Sequence, residues 1–144
     1  MNYTVDTSAL MRLYIPDGPV PDGLRKALQN AERGNDALIA PELILAEAGQ
    51  VLHKKRAQNV VSDEETEALL NSILSLPIRL FSHRDLLPVA CELAAEINLT
   101  VYDALFLALA QRHNAALFTA DEKLGHAAKE LNLSGPHFVG EGLD

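Results

Sequence analysis

Tyr3-Thr4-Val5-Asp6-Thr7-Ser8-Ala9-Leu10 opens with a short β-like run, closes it on a carboxylate and passes into a helix. A charge at the end of an apolar-leaning strand is costly unless something positive meets it. The arrangement returns in Ala116-Leu117-Phe118-Thr119-Ala120-Asp121, where a strand again leads to an acid and a helix start. Two more acids stand in apolar settings. Glu47 lies inside Leu43-Ile44-Leu45-Ala46-Glu47-Ala48, and Asp103 heads the run Ala104-Leu105-Phe106-Leu107-Ala108-Leu109-Ala110. No basic residue accompanies the four locally, so a bound cation is the natural partner.

Outward from these stretches, short β-like runs alternate with helical ones. The candidate strands are Tyr3–Asp6, Ala37–Ala40, Ile78–Phe81, Ala116–Thr119 and His137–Val139. Leu24, Ala27, Leu28 and Ala31 give a helical stripe. Pro41 suits the first turn of a helix running to about Ala57. Ser62 and Glu65 have capping-box spacing, with Leu69, Leu70, Ile73 and Leu74 as the buried stripe behind them. A further helix starts at Asp85, with Pro88 in its first turn, and the last starts at Asp121 and ends near Asn132. Strands alternating with helices predict an α/β fold, a parallel sheet covered on both faces. The main irregular stretch is the loop Pro16–Gly23, and there is no internal repeat or linker. The chain reads as a single domain over 1–144 with a frayed tail at 140–144.

Bulk properties narrow the classes. A chain of 144 residues buries roughly 70% of its unfolded surface, enough for one sizeable core. The single cysteine, Cys91, excludes an internal disulfide and points to a reducing, cytoplasmic setting. It falls with Leu87, Ala90 and Ala94 on one helical face, as a small core residue. The N-terminus lacks a secretory pattern, and no apolar run approaches the ~20 residues of a membrane helix. The net charge of −8 argues against broad electrostatic capture of nucleic acid. Any nucleic-acid substrate would need a local patch, metal–phosphate contact or shape.

In open α/β sheets, ligands bind outside the carboxyl ends of strands where the strand order reverses. Asp6 and Asp121 sit at such ends, and Asp103 and Glu47 lie in early turns of neighbouring helices. All four can gather at one sheet edge as the oxygen ligand set that Mg²⁺ or Mn²⁺ prefers. Taken singly, Asp6, Asp103 and Asp121 are equally well explained as helix-capping residues. Glu47 is not, because Leu43, Ile44 and Val51 place it on the apolar stripe. A buried salt bridge to Arg12 or Arg112 is the alternative there. Those alternatives together describe a non-catalytic α/β protein-interaction domain.

The same residues carry a resemblance. Val5-Asp6-Thr7-Ser8-Ala9-Leu10, Glu47 in its apolar helix, Tyr102-Asp103-Ala104 with the Leu/Ala run, and Thr119-Ala120-Asp121 resemble the motifs of PIN-domain ribonucleases. Within that superfamily they most resemble the toxin halves of bacterial VapBC-type toxin–antitoxin pairs. The resemblance implies a three-layer sandwich whose parallel sheet has about five strands in the order 3-2-1-4-5. It also implies a Mg²⁺- or Mn²⁺-dependent endoribonuclease, dimeric, leaving 5′-phosphate and 3′-hydroxyl ends. A cognate antitoxin would silence it by laying a tail over the site. Asp6, Glu47, Asp103 and Asp121 match the metal and catalytic positions, and Thr7, Ser8 and Thr119 the supporting ones.

His53-Lys54-Lys55-Arg56 is the only concentrated basic run. Lys54, Lys55 and Arg56 are candidate RNA contacts, although cations also suit a helix C-terminus. Arg12, one turn past Ser8, either meets phosphate or offsets the acids. His83, His113, His126 and His137 lack metal-ligand spacing and read as surface residues. No histidine falls in the four motifs, which disfavours a ribonuclease using paired histidines. There is no Gly-rich phosphate loop. Ser8 stands where an aspartyl-phosphate phosphatase has its second aspartate. Transfer, ribosomal and messenger RNA all remain open as substrates, and so does one metal ion against two. The Tyr14–Asn35 and Val51–Ser75 regions are the candidate dimer or antitoxin surfaces.

Overall fold

The computed structural model describes residues 1–133. The elements run β1 (Asn2–Val5), α1 (Thr7–Met11), α2 (Leu24–Glu32), β2 (Ala37–Pro41), α3 (Leu43–Ala57), α4 (Asp63–Leu74), β3 (Ile78–Phe81), α5 (Leu87–Ile97), α6 (Val101–Arg112), β4 (Ala116–Phe118) and α7 (Glu122–Glu130). Every strand pairing is parallel, in the order β3-β2-β1-β4. That is the predicted order over its first four places, and the candidate fifth strand, His137–Val139, lies outside the described residues.

Strand alternation builds the three layers. Leu38 and Ala40 enter one core with Val5, Leu10, Ile44, Leu52 and Phe118, under α1 to α4. Ile39 and Leu117, one residue out of phase, enter a second core with Leu86, Leu93, Leu107, Leu109 and Leu124, under α5 to α7. Period-two alternation sends successive side chains to opposite faces, which is why one sheet serves two cores. Helix α6 is buried at every position from Ala104 to Ala110. It sends Phe106 into the first core and Leu105, Leu107 and Leu109 into the second. An all-round apolar helix has to be central. Each fully buried Leu, Ile or Phe contributes about 1.5–3 kcal/mol.

Several expectations need correction. Pro41 is the last residue of β2, paired with Phe81, and α3 starts at Leu43. The capping box of Ser62 and Glu65 forms as predicted, but Leu70 and Leu74 are exposed. Only Ile73 of that stripe is fully buried, because α4 touches the body of the domain along one narrow line. Helix α5 begins two residues after Asp85, whose backbone carbonyl instead accepts from Arg112 Nη2 at 3.0 Å. Cys91 is exposed, since Ala90 and Leu93 take the buried side of α5. His113 is half-buried against the Phe81 ring, and His83 has a buried Nδ1. The tail at 140–144 lies outside the described residues.

The chain leaves β1 toward β2 and β3 on one side and returns to β4 on the other. The order therefore reverses beside β1, and the carboxyl ends of β1 and β4 flank a crevice.

Candidate active site

Asp6 is built into that crevice by the backbone. Its N–H donates to the Phe118 carbonyl at 3.1 Å, extending the β1–β4 ladder by one bond past the strand. It is then the N-cap of α1, and Oδ1 accepts from Ala9 N at 2.8 Å. Ser8 Oγ donates to the same oxygen at 2.7 Å, and Thr119 Oγ1 donates to Oδ2. The Ser8 and Thr119 hydroxyls stand 3.2 Å apart, but each has one proton and each spends it on Asp6. Their lone pairs are also used: Ser8 Oγ accepts from Ala120 N and Thr119 Oγ1 from Asp121 N. A short polar network thus ties the start of α1 to the loop after β4.

An ionised carboxylate has about four acceptor sites, and these three donors leave roughly one for a ligand. Asp6 is only 4% exposed. Burial is the largest influence on it and raises its pKa to about 6; the three donors oppose that and the Asp121 charge adds to it.

The other three acids surround Asp6 on one cavity of about 370 Å³. Glu47, in the second turn of α3, accepts from Thr7 Oγ1 at 2.7 Å through Oε1. Burial raises its pKa, Thr7 lowers it and Asp103 raises it again. Asp103 sits in the first turn of α6, where Thr100 Oγ1 accepts its backbone N–H at 3.1 Å. Burial and then the Asp121 charge raise its pKa, while Thr100 and the Lys123 ammonium lower it. Asp121 caps α7, with Oδ1 accepting from Lys123 N at 2.9 Å and Leu124 N at 3.4 Å.

Capping and site membership are therefore not alternatives. Asp6 and Asp121 cap their helices and face the cavity together. The salt-bridge alternative for Glu47 is not realised. Arg112 is engaged at Asp85, Arg12 reaches the Pro19 carbonyl, and among the described residues none of the four acids forms an ion pair. One expectation needs adjusting: Lys123, two residues after Asp121, is a basic neighbour that the local reading passed over.

The chemistry of this donor set fits a hard divalent cation. It is all oxygen and mutually repelling, and three of its members hold protons more tightly than solvated acids. Among the described residues no three acidic, histidine or cysteine side chains already converge on one ion position. Mg²⁺ does not require that, because it keeps several waters and binds through one or two carboxylates.

Of the basic candidates, only Arg12 lines the cavity. Lys55 pairs with Asp17 at 3.1 Å, Arg56 lies 3.9 Å from Asp63, and Lys54 is exposed outside the cavity. Met11, Val51 and Phe106 form an apolar wall, and Asp17 reaches the rim. Sequence reasoning did not select these. Asp17 lies in an aperiodic loop, and apolar wall residues look like any other core residue.

Residues 3–130 match the family described as PIN domain. Ribonuclease VapC3 of Pyrobaculum aerophilum is 28% identical over 126 residues, 86% of this chain and 92% of that protein. Ribonuclease VapC1 of Mycobacterium tuberculosis is 32% identical over 90 residues, 61% of this chain and 65% of that protein. The crystal structure of PAE2754 from Pyrobaculum aerophilum superposes with a TM-score of 0.64 at 25% identity, covering 88% of this chain and 84% of that one. A toxin–antitoxin complex from Klebsiella pneumoniae shares the fold, with a TM-score of 0.54 at 21% identity over 95% of this chain and 99% of that one.

Proposed function

The chain belongs to the PIN domain family, and from that membership we propose that it is a divalent-metal-dependent endoribonuclease, the toxin of a toxin–antitoxin pair. The observation that carries this is four carboxylates on one cavity at the sheet's reversal point, with no ion-pair partner among the described residues. The ribonuclease names of its relatives supply the substrate class.

In this reading Asp6 and Asp103 hold the principal Mg²⁺ or Mn²⁺, and Glu47 and Asp121 complete the shell or position water. When bound, a divalent ion supplies Lewis acidity, acidifying water and polarising the phosphodiester. The chain's own residues do the rest. Ser8, Thr119 and the Ala9 N–H hold both Asp6 oxygens in place. Thr7 fixes Glu47 through Oε1. The wall of Met11, Val51 and Phe106 limits water and strengthens every charge interaction in the cavity. No protein nucleophile is needed.

The proposed partners follow from the same reading: RNA, a cognate antitoxin laid over the acidic cavity, and a second copy of the chain. Leu70 and Leu74 on α4, 37% and 58% exposed, support contacts by that helix. No single helix is long and apolar enough to cross a membrane. The cytoplasm is the proposed site of action, where an exposed Cys91 stays reduced.

The test is cleavage of RNA by purified protein. Mg²⁺ or Mn²⁺ should give products with 5′-phosphate and 3′-hydroxyl ends, and a chelator or Asp103→Asn should abolish them. Wild-type cutting in the chelator, or undiminished cutting by Asp103→Asn, would remove the metal assignment.

A further inference from the structure

Among the described residues Arg12 is the single cation on the cavity that also holds Asp6, Asp17, Glu47, Asp103 and Asp121. It pairs with no carboxylate among the described residues, although Asp17 lines the same cavity. Among the described residues its one hydrogen bond is a long one, from Nη1 to the Pro19 carbonyl at 3.4 Å. The guanidinium lies against Gly18, so closely that a methyl group on that residue would overlap Nη1 and Cζ. Gly18 is not in the left-handed region that demands glycine, so what this position requires is room for Arg12. The neighbouring Asp17 pairs instead with Lys55 of α3, at 3.1 and 3.3 Å.

We infer that the Asp17-Gly18-Pro19 turn is a cradle that holds the Arg12 guanidinium at the mouth of the acidic cavity to grip a phosphate of single-stranded RNA. This rests on the ribonuclease reading and extends it to substrate capture. A chain of net charge −8 repels RNA on balance. A guanidinium left unpaired and pre-placed meets a phosphate with its planar fork of donors without first breaking an internal ion pair. Gly18 is then a positioning residue, acting only through Arg12.

Gly18→Ala tests this with little disturbance of the fold, because the group that must yield is the end of a flexible side chain. Binding of a fluorescein-labelled single-stranded oligoribonucleotide is followed by anisotropy, with Ca²⁺ present as a hard cation for the acids. Cleavage in Mn²⁺ is measured separately. Arg12→Ala should weaken binding about tenfold and lower the slope of log affinity against log salt by about 0.7, the loss of one phosphate contact on a single strand. Gly18→Ala should reproduce most of both effects with an unchanged melting temperature. The double variant should be no worse than Arg12→Ala alone, and Arg12→Lys should restore the salt slope. Wild-type affinity in Gly18→Ala, or losses that multiply in the double variant, overturns the cradle while cleavage in Mn²⁺ still stands. A wild-type protein that neither binds nor cuts RNA removes the ribonuclease reading, and the cradle falls with it.

Discussion

Replacing Asp6 with asparagine should make the metal-free protein more stable while ending its activity. The folded state holds a carboxylate whose pKa has moved from 3.8 to about 6, chiefly by burial. At neutral pH that shift corresponds to about 3 kcal/mol of destabilisation relative to a solvated aspartate. Asparagine caps a helix as well as aspartate does, so the bond from Ala9 N survives. Its amide NH₂ replaces Oδ2 opposite Thr119, whose hydroxyl can turn its proton toward Ser8 and accept instead. Allowing for that rearrangement, the gain is about 2 kcal/mol, or about 4–8 °C in melting temperature. The sign with pH is fixed by linkage. An acid whose folded pKa is raised destabilises fully above that value, and the penalty fades as pH falls and the folded state takes up its proton. The advantage of Asp6→Asn should therefore be full at about pH 8, shrink between about pH 6 and pH 4, and level off below the ordinary value of 3.8. Denaturant melts of both proteins in chelator across that range measure it. A variant less stable than wild type at about pH 8, or a difference that ignores pH, would refute the argument.

Thr119→Val removes the donor to Asp6 Oδ2 and raises the Asp6 pKa further, so the acidic limb of the cleavage profile should move to higher pH. It also leaves the Asp121 N–H without its acceptor, and stability should fall by about 1–3 kcal/mol. Thr7→Val frees Glu47 from its hydroxyl donor and should lower the cleavage rate several-fold with an unchanged melting temperature, read in one thermal and one kinetic assay. Leu74→Gln, at a position 58% exposed, should change monomer stability by no more than about 0.5 kcal/mol in a chemical melt.

Much of this arrangement was legible in the residues because a short alternating strand and a buried acid leave strong local signals. The run Val5-Asp6 gave the strand end, and Glu47 among Leu43, Ile44 and Val51 gave an inward carboxylate that capping does not explain. The Leu/Ala run after Asp103 marked the helix before the last described strand, and its burial on every side, which places it between two cores, came from the structure. What local pattern did not convey was distance across the chain. Thr119 reaches Asp6 over 113 positions and Thr7 reaches Glu47 over 40, and each hydroxyl alone looks like an ordinary helix-start or strand-end residue. The error at Leu70 and Leu74 has the same root. A helical stripe states which residues share a face, not whether anything covers it. Cys91 shows it on a smaller scale, since α5 turns Ala90 and Leu93 inward and leaves the thiol outside.

The acidic cavity as a divalent-ion site is tested most directly by thermal melting with and without Mn²⁺. At an ion concentration about a hundredfold above its dissociation constant, linkage predicts about 2.7 kcal/mol of added stability, and so a rise of about 5–11 °C. Asp103→Asn should lose most of that rise while melting at or above the wild-type temperature in chelator. A melting temperature indifferent to Mn²⁺, or an equal rise in Asp103→Asn, would contradict the account.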